Sequence, residues 1–287
     1  MIYLLLAILT STSILIAFNL FDRFRVHILP AIIVNYAVAA AFGFLQEAGT
    51  YSLVMIPQRP WFPVSIAAAV LLILGFNLFA HSAARVGITI TAISARMSVI
   101  IPVILGFLIF GEALGAIRIA GIIMALAAFI LTFYPGREHK SFKSVYFFLP
   151  FFLFLTQGAN DSVLKAAQHF YITDDFTLFL ATAFLFCLGI GLMVLFFQRK
   201  KPTGRFSRST LIAGIILGLL NWFSTLFFLK GLSIYDVSVF VPLLNVSIVG
   251  LSALAGRLFF KEKLSSFNLL GIGLAIMAIL LLGTSGD

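Results

Sequence analysis

The residue best suited to chemistry is Arg96, which lies in a short polar patch, Ser94-Ala95-Arg96-Met97-Ser98, inside an otherwise apolar stretch. A charged side chain in apolar surroundings is costly, so such a residue is a candidate site residue by default. The planar guanidinium binds carboxylates through two parallel hydrogen bonds. We therefore predict that Arg96 binds an anionic group of a ligand. The alternative is a structural arginine that pairs within the protein.

Asp161 and Lys165 form the second charged feature of an apolar stretch. They stand four residues apart, so a helix would place them on one face, where they could form an ion pair. The second interpretation is that Asp161 carries a proton or a cation, because a desolvated carboxylate titrates nearer neutrality. We predict that Asp161 and Lys165 are coupling residues and keep the ion pair as the alternative.

Five further polar or amphipathic residues occur deep in four other apolar stretches. A polar atom at such depth needs a partner or a wet cavity. We predict that they bind substrate together with Arg96, although each alone is more often a contact between helices. They are Tyr36, Asn77, Asn221, Trp222 and Asn245.

The chain that carries these residues is strongly apolar. Of 287 residues, 62% are hydrophobic and only 10% are charged, whereas soluble domains carry about 25% charged residues. This composition nearly excludes a soluble enzyme and predicts an all-α, multi-pass membrane protein. The 19 Lys and Arg residues lie in short caps between apolar runs, which suits lipid head groups as partners and argues against nucleic acid.

Apolar runs of about 20 residues predict ten transmembrane helices, because the membrane core requires that length. The runs lack the alternating pattern of a transmembrane barrel. The predicted spans are 2–20, 28–46, 62–82, 88–110, 117–134, 145–166, 176–197, 210–230, 236–258 and 266–284.

The two halves of the chain look like duplicates. The segment 110–114 (FGEAL) is followed by Gly121, and the segment 260–264 (FKEKL) is followed by Gly271. The glutamate and the glycine each recur after 150 residues.

An earlier match, Leu9-Thr10 with Leu155-Thr156, gives an offset of 146 residues. The halves 1–139 and 140–287 then hold five spans each, and an odd number inverts the second repeat in the membrane. Arg96 corresponds to Val246, beside Asn245, so both repeats present a polar group at one depth.

Each half contains a polar helix end, a proline, a Glu-x-Leu segment and a glycine in its last span. In chain order these are Ala83-Ala84-Arg85-Val86, Pro102, Gly111-Glu112-Ala113-Leu114 and Gly121, then Lys230-Gly231-Leu232-Ser233, Pro242, Lys261-Glu262-Lys263-Leu264 and Gly271. In these motifs the whole chain resembles the drug/metabolite transporter superfamily, specifically its EamA-type ten-helix members. Lys165 stands where that family often has a lysine.

The resemblance implies a secondary transporter that moves a small metabolite, such as an amino acid or organic anion, by alternating access with or without ion or proton coupling. It implies no cofactor and a monomer or weak homodimer. The loops after odd-numbered spans carry most Lys and Arg residues, so the positive-inside rule places them in the cytoplasm and both termini outside the cell membrane.

Two other classes of function, a membrane acyltransferase and a channel, are the alternatives to a carrier. His169 and Asp174 have the His-x4-Asp spacing of membrane acyltransferases, but no second acyltransferase block accompanies them. A channel would need a ring of charges or a filter-like repeat, and the sequence contains neither. We therefore expect a carrier rather than an enzyme.

Overall fold

The structure is a computed structural model, and it describes most of the chain. The described residues are 2–21, 23–47, 52–85, 94–111, 115–132, 148–173, 175–197, 206–259, 270–271, 273–274, 277–278 and 281.

Within these ranges the chain is helical and contains no strand, which confirms the predicted all-α class. A helical turn at 94–97 precedes α4, and the described residues from 270 to 281 are helical. The helices are α1 (Ile2–Phe21), α2 (Ile28–Gln46), a 3-10 helix (Leu53–Gln58), α3 (Phe62–Arg85), α4 (Ile100–Leu108), α5 (Ala116–Thr132), α6 (Phe148–Phe170), α7 (Phe176–Phe197), α8 (Arg208–Leu232) and α9 (Val237–Phe259).

Among the described residues, four helices contain stretches that are long and apolar enough to cross a membrane. These stretches are Ile28–Gln46, Phe62–Phe79, Phe176–Phe197 and Arg208–Leu232. A helix satisfies its backbone hydrogen bonds within itself, which is what a lipid environment requires. The count of ten spans stays a prediction, because much of the predicted span 266–284 lies outside the described residues.

The chain divides into two compact units, and each takes helices from both halves of the sequence. Unit 1 comprises Met1–Ile73 and Ala166–Ser233, and unit 2 comprises Leu74–Lys165 and Ile234–Asp287. Helices α3 and α6 therefore each contribute residues to both units.

Unit 1 is built around α2, which packs against α7 and α8, while α1 packs against α8. Close approach of α8 to α2 depends on two glycines. A Cβ atom at Gly214 would lie 2.6 Å from Cβ of Val34, and one at Gly218 would lie 2.8 Å from the carbonyl oxygen of Asn35. These glycines therefore serve packing inside unit 1.

We expect Gly218→Ala to destabilise the protein by about 1–3 kcal/mol, because the added methyl group meets backbone rather than a movable side chain. Gly189→Ala in α7 is the matched control, since a Cβ there meets nothing within 4 Å. Thermal unfolding in detergent should show a lower midpoint for Gly218→Ala only. Equal midpoints for the two variants would contradict the close packing of α8 on α2.

Unit 2 is built around α9, which packs against α4 and α5. One apolar cluster joins Val246 of α9 to Ala128 of α5 and to Ala278. On α6, Gly158 faces Ile101 of α4, whose Cβ would lie 2.8 Å from a Cβ added at the glycine. This glycine lets α6 lie directly against α4, near the turn that carries Arg96.

Candidate functional site

A polar cluster in unit 2 contains the arginine that the sequence singled out. Arg96, in the helical turn 94–97, donates a hydrogen bond from Nη1 to Oδ1 of Asn245 on α9, at 2.8 Å. Asn245 is buried and Arg96 is half-buried. The amide is neutral, so Asn245 does not balance the positive charge of the guanidinium. A guanidinium has five N–H donors, and this contact occupies one of them.

Asp161 on α6 supplies the negative charge of the cluster. Its carboxylate interacts electrostatically with the guanidinium of Arg96 and accepts a hydrogen bond from the side chain of Asn160. This electrostatic interaction acts between α6 and the turn before α4. Asp161 therefore has a charge partner beyond its own helix, in addition to the candidate partner Lys165 one turn further along.

Asn160 contributes a polar atom that the protein itself does not satisfy. The side chain is 6% exposed, and its Oδ1 atom is buried with no hydrogen-bond partner. Leaving a buried acceptor unpaired costs about 1–3 kcal/mol. Such an atom in a native structure points to a missing donor from a ligand or a water molecule.

Lys165 lies at the other end of the same helical stretch and is also buried. Its Nζ atom is 5.7 Å from the centroid of the Phe110 ring. The face of an aromatic ring attracts a cation, so Phe110 stabilises the ammonium group away from water.

The local structure that presents Arg96 follows from its flanking residues. Ser98 donates its hydroxyl proton to the carbonyl oxygen of Ala95, and the backbone N–H of Val99 bonds to the carbonyl oxygen of Arg96. The chain thus continues from the turn at 94–97 into α4. Arg96 and Asn245, predicted at the same depth, are in direct contact.

Asn77 also belongs to unit 2, on α3, and its side chain is exposed. Its carbonyl oxygen lies 2.8 Å from Nδ1 of His81, one turn later. The predicted role of Asn77 in substrate binding stays a prediction.

The other three predicted binding residues belong to unit 1. Nδ2 of Asn221 on α8 donates to Oδ1 of Asn35 on α2, at 3.2 Å. The ring of Tyr36 stacks on Phe184 with centroids 6.0 Å apart. These contacts join α2 to α8 and to α7.

Trp222 is fully buried in unit 1, among Phe42 and Phe184, whose ring centroids each lie 6.2 Å from its own. Its indole Nε1 has no hydrogen-bond partner. Of the predicted binding residues, Arg96 and Asn245 thus belong to the cluster of unit 2, while Tyr36, Asn221 and Trp222 belong to unit 1.

Asn160 is the member of the cluster that sequence reasoning missed. The one signal for it was its position beside Asp161 in an otherwise apolar helix. Of the pair that would favour an acyltransferase, His169 lies exposed at the end of α6 against Phe170, and Asp174 lies outside the described residues. The described residues contain no group of His, Cys, Asp and Glu side chains that could hold a metal ion.

Comparisons with known proteins agree with this fold. The chain is 27% identical to an uncharacterized protein of Haemophilus influenzae over 285 residues, which cover 96% of this chain and 95% of that protein. A protein crystal structure superposes with a TM-score of 0.79 over 100% of this chain and 98% of that one, at 16% identity. At that identity the likeness shows the fold alone.

Residues 163–284 match the model of the EamA-like transporter family. The matched region includes Lys165, α7, α8 and α9 with Asn245. Members of this family are membrane transporters, and the long apolar helices agree with a multi-pass membrane protein. Residues 163–284 are therefore similar to an EamA-like transporter domain, the domain type of the drug/metabolite transporter superfamily.

Proposed function

We propose that the protein is a secondary transporter that moves a small, negatively charged or zwitterionic metabolite across the cell membrane by alternating access. The observation that carries this proposal is the cluster of Arg96, Asn245 and Asp161 in unit 2. It holds a half-buried guanidinium whose hydrogen bond goes to a neutral amide rather than to a carboxylate. The remaining N–H donors suit a carboxylate of a substrate.

Contacts within unit 1 support two repeats with inverted topology. The backbone N–H of His27, before α2, donates to Oγ1 of Thr210 at 3.2 Å. The indole N–H of Trp61 donates to Asp175, before α7, also at 3.2 Å. Asp175 follows His27 by 148 residues, and Thr210 follows Trp61 by 149. One contact is thus the counterpart of the other under the duplication.

Two further contacts join positions that are counterparts of each other. Tyr36 stacks on Phe184, which follows it by 148 residues, and Arg96 binds Asn245, which follows it by 149. Residues near a two-fold axis contact their own counterparts, as in a symmetric dimer. Both units therefore contain the kind of contact that a duplicated, two-fold related chain produces.

The comparison of repeats also supports a functional role for the charged cluster. With the offset of 146 residues near the start of the repeats, Asn160 and Asp161 correspond to Ile14 and Leu15 of α1. With the offset of 149 or 150 further along, Arg96 corresponds to Asn245 or Val246, so none of these counterparts is charged. A repeat that folds with uncharged residues at these positions does not need charges there for packing. This favours substrate binding and coupling over a purely structural ion pair.

Countertransport in proteoliposomes tests the transporter proposal. Vesicles that contain the purified protein should take up a radiolabelled metabolite faster when they are preloaded with the same unlabelled compound, because a carrier returns faster when occupied. The probes are amino acids and small carboxylates, each tested singly, with protein-free vesicles as the control. Uptake that preloading does not accelerate would indicate a channel, and chemical conversion of the probe would indicate an enzyme.

We further propose that both termini lie outside the cytoplasm and that the loop before α8 lies inside. A cysteine at Phe206, which is exposed, should therefore resist impermeant thiol reagents in intact cells that produce a Cys187→Ala protein. Phe206 is preferable to Ser207, because the Ser207 hydroxyl caps α8 by accepting from Thr210 N at 3.2 Å. Rapid labelling in intact cells, at the rate seen after permeabilisation, would reverse the proposed orientation.

A further inference from the structure

The unpartnered acceptor of Asn160 indicates which group the substrate carries besides the carboxylate proposed to bind Arg96. Oδ1 of Asn160 is buried without a donor, and the adjacent carboxylate of Asp161 has further acceptor positions beyond the bond from Asn160. The two oxygens belong to neighbouring residues of α6. A ligand that completes this arrangement brings hydrogen-bond donors, and a positive charge on the donor group would pair with the carboxylate of Asp161.

We propose that Asn160 and Asp161 form an ammonium-binding subsite, so that the cluster in unit 2 takes zwitterions of the amino-acid class. The carboxylate of the substrate would bind Arg96, and its ammonium group would bind the carboxylate of Asp161 and Oδ1 of Asn160. This inference rests on the transporter proposal and goes beyond it by assigning Asn160 and by naming the substrate class.

The balance of charge favours a zwitterion over a simple anion. Arg96 and Asp161 act on each other electrostatically, and the charges of these two residues sum to zero. A simple carboxylate bound to Arg96 would bring a second negative charge close to Asp161. A zwitterion pairs with both residues and leaves their sum unchanged, which matters in surroundings that screen charge weakly.

The kinds of donor and acceptor in the cluster also suit a zwitterion. An ammonium group has three donors and no acceptor, so it needs oxygen atoms only. Asn160 and Asp161 offer such oxygens, and Arg96 offers donors for a carboxylate. A primary amine without a carboxylate would leave the donors of Arg96 unused.

Thermal stabilisation of the purified full-length protein tests this inference, because a ligand that binds only the folded state raises the unfolding midpoint. The probes are the L-amino acids, each singly, and then, for the one that stabilises most, its analogue without the amino group and its analogue without the carboxylate. We expect both analogues to bind about 10- to 100-fold more weakly than the amino acid, the loss that one charge-assisted hydrogen bond causes.

Asn160→Leu gives the specific readout. It should weaken binding of the amino acid about 10-fold or more and leave binding of the deaminated analogue unchanged. If Asn160→Leu does not fold, Asn160→Ala serves the same comparison. Ser13→Ala is the control, because Ser13 is bonded to the carbonyl oxygen of Leu9 in unit 1.

The outcomes separate this inference from the transporter proposal. The ammonium subsite is wrong if the deaminated analogue binds as tightly as the amino acid. It is also wrong if the folded Asn160 variant, Asn160→Leu or its substitute Asn160→Ala, binds the amino acid as tightly as the native protein. The same holds if carboxylates stabilise the protein and no amino acid does. In each of these cases accelerated countertransport of a carboxylate would still support the transporter, whereas its absence for every probe would contradict that proposal.

Discussion

Arg96→Lys should lower substrate flux about 10- to 100-fold at matched membrane expression, and Arg96→Gln should abolish it. Lysine keeps the positive charge opposite Asp161 but loses the planar fork that binds a carboxylate through two hydrogen bonds. Because the charge is kept, the lysine variant should fold and reach the membrane. The measurement is initial-rate uptake into proteoliposomes of the compound that shows the strongest countertransport.

The matched control for these variants is Arg59, which lies in unit 1 and forms an ion pair with Asp175 at 3.2 Å. Its side chain is 43% exposed, so the pair contributes only about 0–1 kcal/mol to stability. Arg59→Lys and Arg59→Gln should leave flux close to that of the native protein. Normal flux in Arg96→Gln would show that Arg96 has a structural role only, and it would favour Asn221 and Trp222 as the substrate-binding residues.

Removing one charge of the cluster should destabilise the protein more than removing both. Asp161→Asn removes the negative charge that acts on Arg96, so it should lower the unfolding midpoint. The double variant Arg96→Gln/Asp161→Asn removes both charges, so it should recover most of the lost stability. Thermal unfolding of the native protein, the two single variants and the double variant measures this coupling.

The Arg59–Asp175 pair again supplies the comparison. Because it is partly exposed, the corresponding variants Arg59→Gln and Asp175→Asn should change the unfolding midpoint little, singly or together. If the Arg96 and Asp161 variants change the unfolding midpoint as little as the Arg59 and Asp175 variants do, Arg96 and Asp161 do not interact in the folded protein.

Much of the helical structure could be predicted from the sequence because apolar runs and loop residues mark where helices lie. Helices α2 and α7 begin and end where the runs 28–46 and 176–197 predicted. Helix α3 continues to Arg85 and α6 to Phe170, beyond the predicted ends at 82 and 166. Hydropathy reports the part of a helix that suits the lipid core, whereas the helix itself can extend into polar surroundings.

The candidate site was predictable only in part. The duplication placed Arg96 and Asn245 at one depth, and the structure adds that they are hydrogen-bonded to each other. Depth alone does not say which helices are in contact, so the sequence could not assign Tyr36, Asn221 and Trp222 to unit 1 and Arg96 and Asn245 to unit 2.

The role of Asn160 was beyond sequence reasoning for a different reason. Whether a side-chain oxygen is paired depends on every neighbour within hydrogen-bond distance, and these come from packing. Only the structure reveals that Oδ1 of Asn160 is buried and unpartnered while the other end of the amide bonds to Asp161.

Flux through the charge-free double variant Arg96→Gln/Asp161→Asn tests the central claim most directly, since this variant should fold and lacks both charged groups of the cluster. If the cluster binds the transported substrate, proteoliposomes that contain the stable double variant should take up no more substrate than protein-free vesicles. Flux near the native rate from a double variant of native stability would show that the charges serve only the architecture, and it would contradict the account.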